Sequence, residues 1–161
     1  MVSVACLPAP EESYMEQAIQ RVDHVAIVVF RENVDRYVQR LSAALGITFD
    51  EPAIVESTGV IAALAWDAGL EILAPLREEG RYWERLQKYG EGSTIIVFGV
   101  KDMDAAQQRA RDAGVEIGHQ VKLGGTEPWF DRFSHFRESG MAMFDPPLAA
   151  SIALSQIEPK W

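Results

Sequence analysis

The chain has one cysteine, Cys6, among its 161 residues. No internal disulfide and no cysteine-based zinc site can form, and a reducing compartment is the simplest setting. Basic side chains are also short: 15 Lys and Arg stand against 24 Asp and Glu, a formal net charge of −9 with a pI near 4.8. That field repels polyanions and excludes a general binder of nucleic acid or membrane surfaces, though a local basic patch can still hold one phosphate. Histidine occurs three times, as His24, His119 and His135. No apolar run reaches the ~20 residues of a membrane span. Residues 1–10 lack a basic start, are interrupted by Pro8 and Pro10, and are too short for a signal peptide. A soluble, cytoplasmic protein is expected. Glycine is missing from Val29-Phe30-Arg31-Glu32-Asn33 and Val100-Lys101-Asp102-Met103, which follow the two most apolar stretches. A phosphate-binding loop of the dinucleotide type is therefore not expected. What the chain does have is 48% hydrophobic residues, enough for one domain, or two very small fused modules, to bury a core.

Residues 1–20 read as an N-terminal extension, with a linker at Pro8-Ala9-Pro10-Glu11-Glu12 and a short helix over 13–20. Patterning then becomes strong. Residues 22–30 are a β-branched run broken only by Asp23 and His24, a strand by composition and length. Asn33 is placed to cap a helix whose Val34, Tyr37, Val38 and Leu41 fall on one face, and Gly46 is placed to end it. Three β segments follow, at about 47–56, 59–66 and 70–73, with an Asp67-Ala68-Gly69 turn before the last. The order then recurs. A strand over 93–100 leads to a helix over about 104–113, with Asp104 and Gln107 at capping-box spacing and Gly114 at its end. Strands over 115–121, 141–144 and 152–154 complete the second unit. Tyr82, Leu86 and Tyr89 mark a short amphipathic helix between the units, ending at Gly90. Two βαβββ units in tandem are the organising feature; half of a doubly wound parallel sheet is the alternative.

Strand alternation puts His24, Ala26 and Val28 on one face and Val25, Ile27 and Val29 on the other. Glu71 and Leu73 are separated in the same way from Leu70 and Ile72.

Asp23-His24-Val25-Ala26-Ile27-Val28-Val29 resembles the opening strand of the vicinal oxygen chelate superfamily, which includes glyoxalase I, bleomycin-resistance proteins and extradiol dioxygenases. Gly69-Leu70-Glu71-Ile72-Leu73-Ala74-Pro75-Leu76 resembles the fourth strand of its first module. Leu86-Gln87-Lys88-Tyr89-Gly90-Glu91-Gly92, Val100-Lys101-Asp102-Met103-Asp104-Ala105-Ala106 and Phe144-Asp145-Pro146 are most similar to the methylmalonyl-CoA epimerase branch. The resemblance spans residues 21–157 and implies one glyoxalase-like domain, with modules 21–78 and 93–157 joined by a short helix. The implied fold is α+β: two βαβββ modules forming a cup-shaped mixed sheet with helices outside, in a homodimer. It also implies a divalent metal in the cup, with ligands from the first and last strands of each module. His24 and Glu71 match those positions in the first module, and imidazole and carboxylate are competent ligands. Ile95 and Ala153 match them in the second and cannot ligate. The cofactor expectation is thus none, or a weakly held divalent metal.

His24 beside Glu71 then has three readings: a two-ligand remnant of a metal site, a metal-free acid/base pair, or a buried hydrogen-bonded pair without catalytic duty. His119 and His135 are candidates to supply a missing ligand. Ile95, Val97 and Ala153 would line the cup. Segment 124–140, longer than its counterpart in the first unit, carries Trp129, Phe130, Phe133 and Phe136. It reads as a binding loop or lid over an apolar or aromatic carbonyl or carboxylate ligand, or as aromatic cover for the sheet or a dimer contact. Trp129, Phe133, His119 and His135 join Ile95, Val97 and Ala153 as substrate-binding candidates, with Arg132 and Arg137 as partners for a carboxylate. Glu56 lies one position out of step with the catalytic glutamate of the epimerase branch. The function expected is an isomerase, epimerase or lyase acting by proton transfer beside a carbonyl, through His24 and Glu71. A metal-free sequestering protein of the bleomycin-resistance type is the alternative. Dioxygenase activity is disfavoured, since oxygen activation needs about three protein ligands on a redox metal.

Overall fold

The computed structural model describes residues 19–121, 127, 129–142 and 150–160. Of the helix expected over 13–20, residues 13–18 lie outside the described residues and Ile19 and Gln20 belong to a strand instead; the Phe144-Asp145-Pro146 motif and the His119 side chain also lie outside the described residues. Eight strands form one sheet: β1 (Ile19–Val28), β2 (Ala53–Val55), β3 (Val60–Ala65), β4 (Leu70–Pro75), β5 (Gly92–Val100), β6 (Glu116–Val121), β7 (Phe133–Ala142) and β8 (Ser151–Pro159). Their spatial order is β2-β3-β4-β1-β5-β8-β7-β6. β1 pairs in parallel with β4, and β5 with β8, while every other pairing is antiparallel, including the β1–β5 seam at the centre. Each half therefore repeats the other's topology across the seam, and the mixed sheet curls into a half-barrel. A doubly wound sheet is ruled out by those antiparallel pairings.

The helices are α1 (Val34–Leu45), α2 (Gly80–Tyr89) and α3 (Met103–Asp112). Residues of alternate parity on β1 divide between two cores, as a pleated strand requires. Ala26 and Val28 join the cluster inside the cup, and Ile27 and Val29 pack with Tyr37, Val38 and Leu41 of α1 outside it. α3 covers the second half from the same outer side through Met103 and Ala106. α2 differs from both, because its Tyr82 and Leu86 belong to the cup cluster. Among the described residues no helix is long and apolar enough to cross a membrane.

Four local expectations are corrected. Asn33 stands at the N-cap of α1 but its side chain makes no capping bond; its amide donates to Glu91 Oε1 at 2.6 Å instead. Glu91 also accepts from the Phe30 backbone N–H and the Tyr37 hydroxyl, both at 3.0 Å, so it ties α1 to the start of β5. The α3 cap is Asp102, accepting from Ala105 N–H at 2.9 Å, rather than Asp104. Gln107 is then free to turn inward, where it donates to Ser139 Oγ at 2.7 Å. The segment expected as a strand over 47–56 pairs only at Ala53–Val55. The second part of the expected loop over 124–140 is strand: β7 runs from Phe133 to Ala142 along β8.

Candidate active site

The site begins with an irregularity in β1. Val22 pairs with Phe98 and His24 with Val97, so Asp23 is an extra residue on β1. A bulge of this kind re-aims side chains, and it lets two neighbouring residues, normally on opposite faces, meet. The protonated His24 Nδ1 donates to Asp23 Oδ2 at 3.1 Å. Gly99 of β5 packs beside it, where a Cβ would make only ordinary van der Waals contact with the Asp23 side chain at 3.6 Å. Arg21 adds a contact to Asp23 Oδ1 at 3.3 Å.

The other ring nitrogen looks into the cup. His24 Nε2 lies 3.7 Å from Glu71 Oε2 and 3.8 Å from Glu138 Oε2. Glu71 comes from β4, in parallel register beside β1, and Glu138 from β7 on the far half of the sheet. The imidazole and both carboxylates are only 14–18% exposed. Burial alone would lower the His24 pKa, but the Asp23 hydrogen bond and the charges of Glu71 and Glu138 outweigh it and raise it to about 9. Burial pushes Glu71 up to about 7, with His24 opposing and Glu138 adding. Burial likewise raises Glu138 against the pull of His24 and Arg81. Asp23 goes the other way: burial would raise it, yet its bond to His24 and the nearby positive charges hold it below the carboxylate range. The arrangement is an imidazolium fixed by one carboxylate and facing two more, which hold a proton readily.

These groups line a cavity of about 60 Å³, with walls that include Val60, Leu73, Ile95, Trp129 and Phe136. A second cavity of about 250 Å³ lies outside it, between the β2–β3 turn and the start of α2. Thr58 and Tyr82 line both. An aromatic wall joins the two halves: Trp66 packs at 6.1 Å from Trp129 and 4.9 Å from Phe133, which in turn lies 6.0 Å from Phe136. Asp50 locks that wall by accepting from Trp66 Nε1 at 2.7 Å and Arg132 at 2.8 Å.

Two of the four ligand positions that the superfamily implies carry no metal donor. Ile95 and Ala153 are buried hydrocarbon, and among the described residues no group of three or more His, Cys, Asp or Glu side chains is arranged to hold a metal ion. His24 and Glu71 do meet, and Ile95 and Trp129 line the cavity with them. Val97, Ala153 and Phe133 pack in or against the surrounding cluster without lining it. His135 faces away from the cup, because alternation on β7 sends Phe136 and Glu138 inward and His135, Arg137 and Ser139 toward α3. Arg137 accordingly pairs with Asp104 at 2.8 Å. Glu56 is exposed and lines the outer cavity. Glu138 and Tyr82 are the site residues that sequence reasoning missed. The alternation Phe136, Glu138, Gly140 was the available signal, but Ser, Gly and Glu give β7 weak strand propensity.

The same charges set an expected pH dependence of stability. Glu71 and His24 both have folded pKa values above their unfolded ones. Each stabilises the fold below its unfolded pKa and loses that contribution as pH rises through the folded value, about 7 for Glu71 and about 9 for His24. For Glu91, burial would raise the pKa, but the bonds from Asn33, Phe30 and Tyr37 lower it. Its contribution is present above its unfolded pKa and is lost in acid. Thermal denaturation should therefore give a melting temperature that falls steadily from pH 5 to pH 9, and the Glu71→Gln variant should flatten the first part of that fall. A melting temperature that climbs over this range would contradict the electrostatics of the site.

The sequence profile of the Glyoxalase/Bleomycin resistance protein/Dioxygenase superfamily matches residues 23–130. No curated protein sequence matches the chain. Among solved structures, a point variant of methylmalonyl-CoA epimerase from Streptomyces coelicolor, in complex with 2-nitronate-propionyl-CoA, is similar at 28% identity and a TM-score of 0.65, covering 86% of this chain and 97% of that one. A methylmalonyl-CoA epimerase in complex with methylmalonyl-CoA and NH4+ is similar at 25% identity and a TM-score of 0.66, covering 88% and 99%. The Mycobacterium tuberculosis methylmalonyl-CoA epimerase shares the fold, with 24% identity, a TM-score of 0.68, and coverage of 89% and 91%.

Proposed function

The chain belongs to the Glyoxalase/Bleomycin resistance protein/Dioxygenase superfamily, and from that premise we propose an isomerase of the epimerase type that moves the proton on the carbon beside a thioester carbonyl. The observation that carries this reading is the pair of buried carboxylates, Glu71 and Glu138, facing one imidazole in a single small cavity. Inverting a carbon next to a carbonyl needs a base to remove its proton and an acid to return one. Two carboxylates with raised pKa values, one to take up the proton and the other to return one, supply both. The C–H electron pair moves into the bond to the carbonyl carbon, negative charge passes to the oxygen, and the proton rests on the carboxylate. Return of a proton to carbon reverses the electron flow. His24, kept cationic and oriented by Asp23, favours the ionised member of the pair. The apolar walls exclude water, which strengthens each of these interactions.

The two cavities suggest the substrate class. About 60 Å³ is room for a reacting acyl head, whereas the rest of a larger molecule needs the 250 Å³ outside. Within the expected class of carbonyl or carboxylate ligands, these volumes favour a small head on a long tether. The similar epimerases complexed with CoA esters support a thioester. The test is incubation with methylmalonyl-CoA, and with propionyl-CoA, in deuterated buffer. Deuterium is expected at the carbon beside the carbonyl. Tight binding of both compounds without deuterium uptake would remove the enzyme reading and leave a sequestering protein.

A further inference from the structure

Proton removal beside a carbonyl leaves negative charge on the carbonyl oxygen, and stabilising such an oxyanion is commonly the largest single contribution to catalysis. The carboxylates have other duties: Glu71 and Glu138 take up and return the carbon-bound proton, and Asp23 holds His24 Nδ1. The His24 Nε2–H stands at ion-pair rather than hydrogen-bond distance from Glu71 and Glu138, 3.7 and 3.8 Å, and its charge balances those two carboxylates. A donor has to come from elsewhere in the cavity wall.

α2, which belongs to neither repeat, supplies one. Tyr82 is 9% exposed within the cup cluster and lines the inner cavity together with His24, Glu71 and Glu138. It also lines the outer cavity, so it stands where an acyl head would meet its tether. Its hydroxyl accepts from Arg81 Nη2 at 2.7 Å, and that guanidinium lies 4.5 Å from the ring centroid. Among the hydrogen bonds of the described residues, the hydroxyl hydrogen itself has no acceptor. A phenol that accepts from a cation is polarised into a stronger donor. Leaving that donor unused in a buried site costs free energy that a ligand oxygen would recover. We infer that Tyr82, polarised by Arg81, donates the hydrogen bond that stabilises the enolate oxygen of the substrate. This rests on the proton-transfer reading above. Burial, reinforced by Glu71 and Glu138 and opposed by Arg81, pushes the Tyr82 pKa up to about 12, so the group remains a donor. Tyr82 shares its hydrogen without releasing it: the carbon-bound proton passes to a carboxylate, the C–H pair forms the new C=C bond, and the carbonyl π pair becomes the oxyanion. A hydroxyl from α2 thus meets a need that the apolar side chains Ile95 and Ala153 cannot.

The test compares two ligands. Propionyl-CoA presents a neutral carbonyl, and 2-nitronate-propionyl-CoA presents a planar anion with charge on oxygen, like the enolate. Tyr82→Phe keeps the ring in the cluster and removes only the hydroxyl. Wild type should prefer the nitronate, and Tyr82→Phe should lose roughly tenfold to a hundredfold of nitronate affinity while propionyl-CoA affinity stays within about twofold. Arg81→Gln, an exposed change, should lose roughly tenfold of the same preference, and it reads the same contact if Tyr82→Phe fails to fold. Parallel loss of both ligands, or an unchanged preference, would show that Tyr82 serves packing alone. A wild type with no preference for the nitronate would overturn the proton-transfer reading first, and the role of Tyr82 with it.

Discussion

Glu138→Gln is expected to slow deuterium uptake into methylmalonyl-CoA by about 10²–10⁴-fold, the usual worth of a positioned acid or base. Glutamine keeps the size and hydrogen-bonding surface of the side chain but cannot carry a proton. The fold should survive, because Glu138 is a buried carboxylate whose charge burial opposes. Its loss also relieves Glu71, whose pKa it helps to raise, so any residual activity should shift to a lower pH. Arg137→Gln provides the control. It is adjacent in sequence but pairs with Asp104 on the outer side, and exchange should stay near the wild-type rate. Wild-type exchange in Glu138→Gln would refute the two-carboxylate mechanism even if the protein proved to be an epimerase.

Gly69→Ala should damage both stability and site. Gly69 has φ +61°, and a Cβ there would lie 2.6 Å from the Asp23 carbonyl oxygen, a backbone atom with no room to yield. A left-handed alanine costs about 1–2 kcal/mol and overpacking about 1–3 more. The close approach is what brings β4 against β1, with Val25 N–H donating to Gly69 O at 2.9 Å. Forcing the strands apart moves Glu71 away from His24, so exchange should fall along with the melting temperature. Gly46→Ala is the comparison: it has a similar φ of +67°, yet nothing lies within 4 Å of the added Cβ. It should cost only the backbone contribution. Equal losses in the two variants, measured by chemical denaturation, would mean that the Asp23 contact has no special weight.

Much of the fold was legible because it rests on local patterns. The β-branched run of β1, the one-sided apolar face of α1 and the left-handed glycine at its end each follow from the residues themselves. The recurrence of that order revealed the repeat. Helix caps were read less well: Asn33 and Asp104 have the right chemistry at plausible positions, but distant partners, Glu91 and Arg137, claim their side chains. β7 was obscured for a related reason. Its pairing with β8 comes from tertiary context, while Ser134, Ser139 and Gly140 give it little propensity of its own.

The candidate site divides along the same line. Alternation set His24 and Glu71 apart from their helix-facing neighbours, and the resemblance to the superfamily matched Ile95 and Ala153, both hydrocarbon, to ligand positions. The bulge that turns Asp23 onto His24, the arrival of Glu138 from the opposite half and the entry of Tyr82 from α2 depended on the assembled, curled sheet. A strand's face is fixed by its own period of two. Which faces then meet is decided by long-range pairing, and the chemistry of a buried carboxylate depends on which charges that pairing brings beside it.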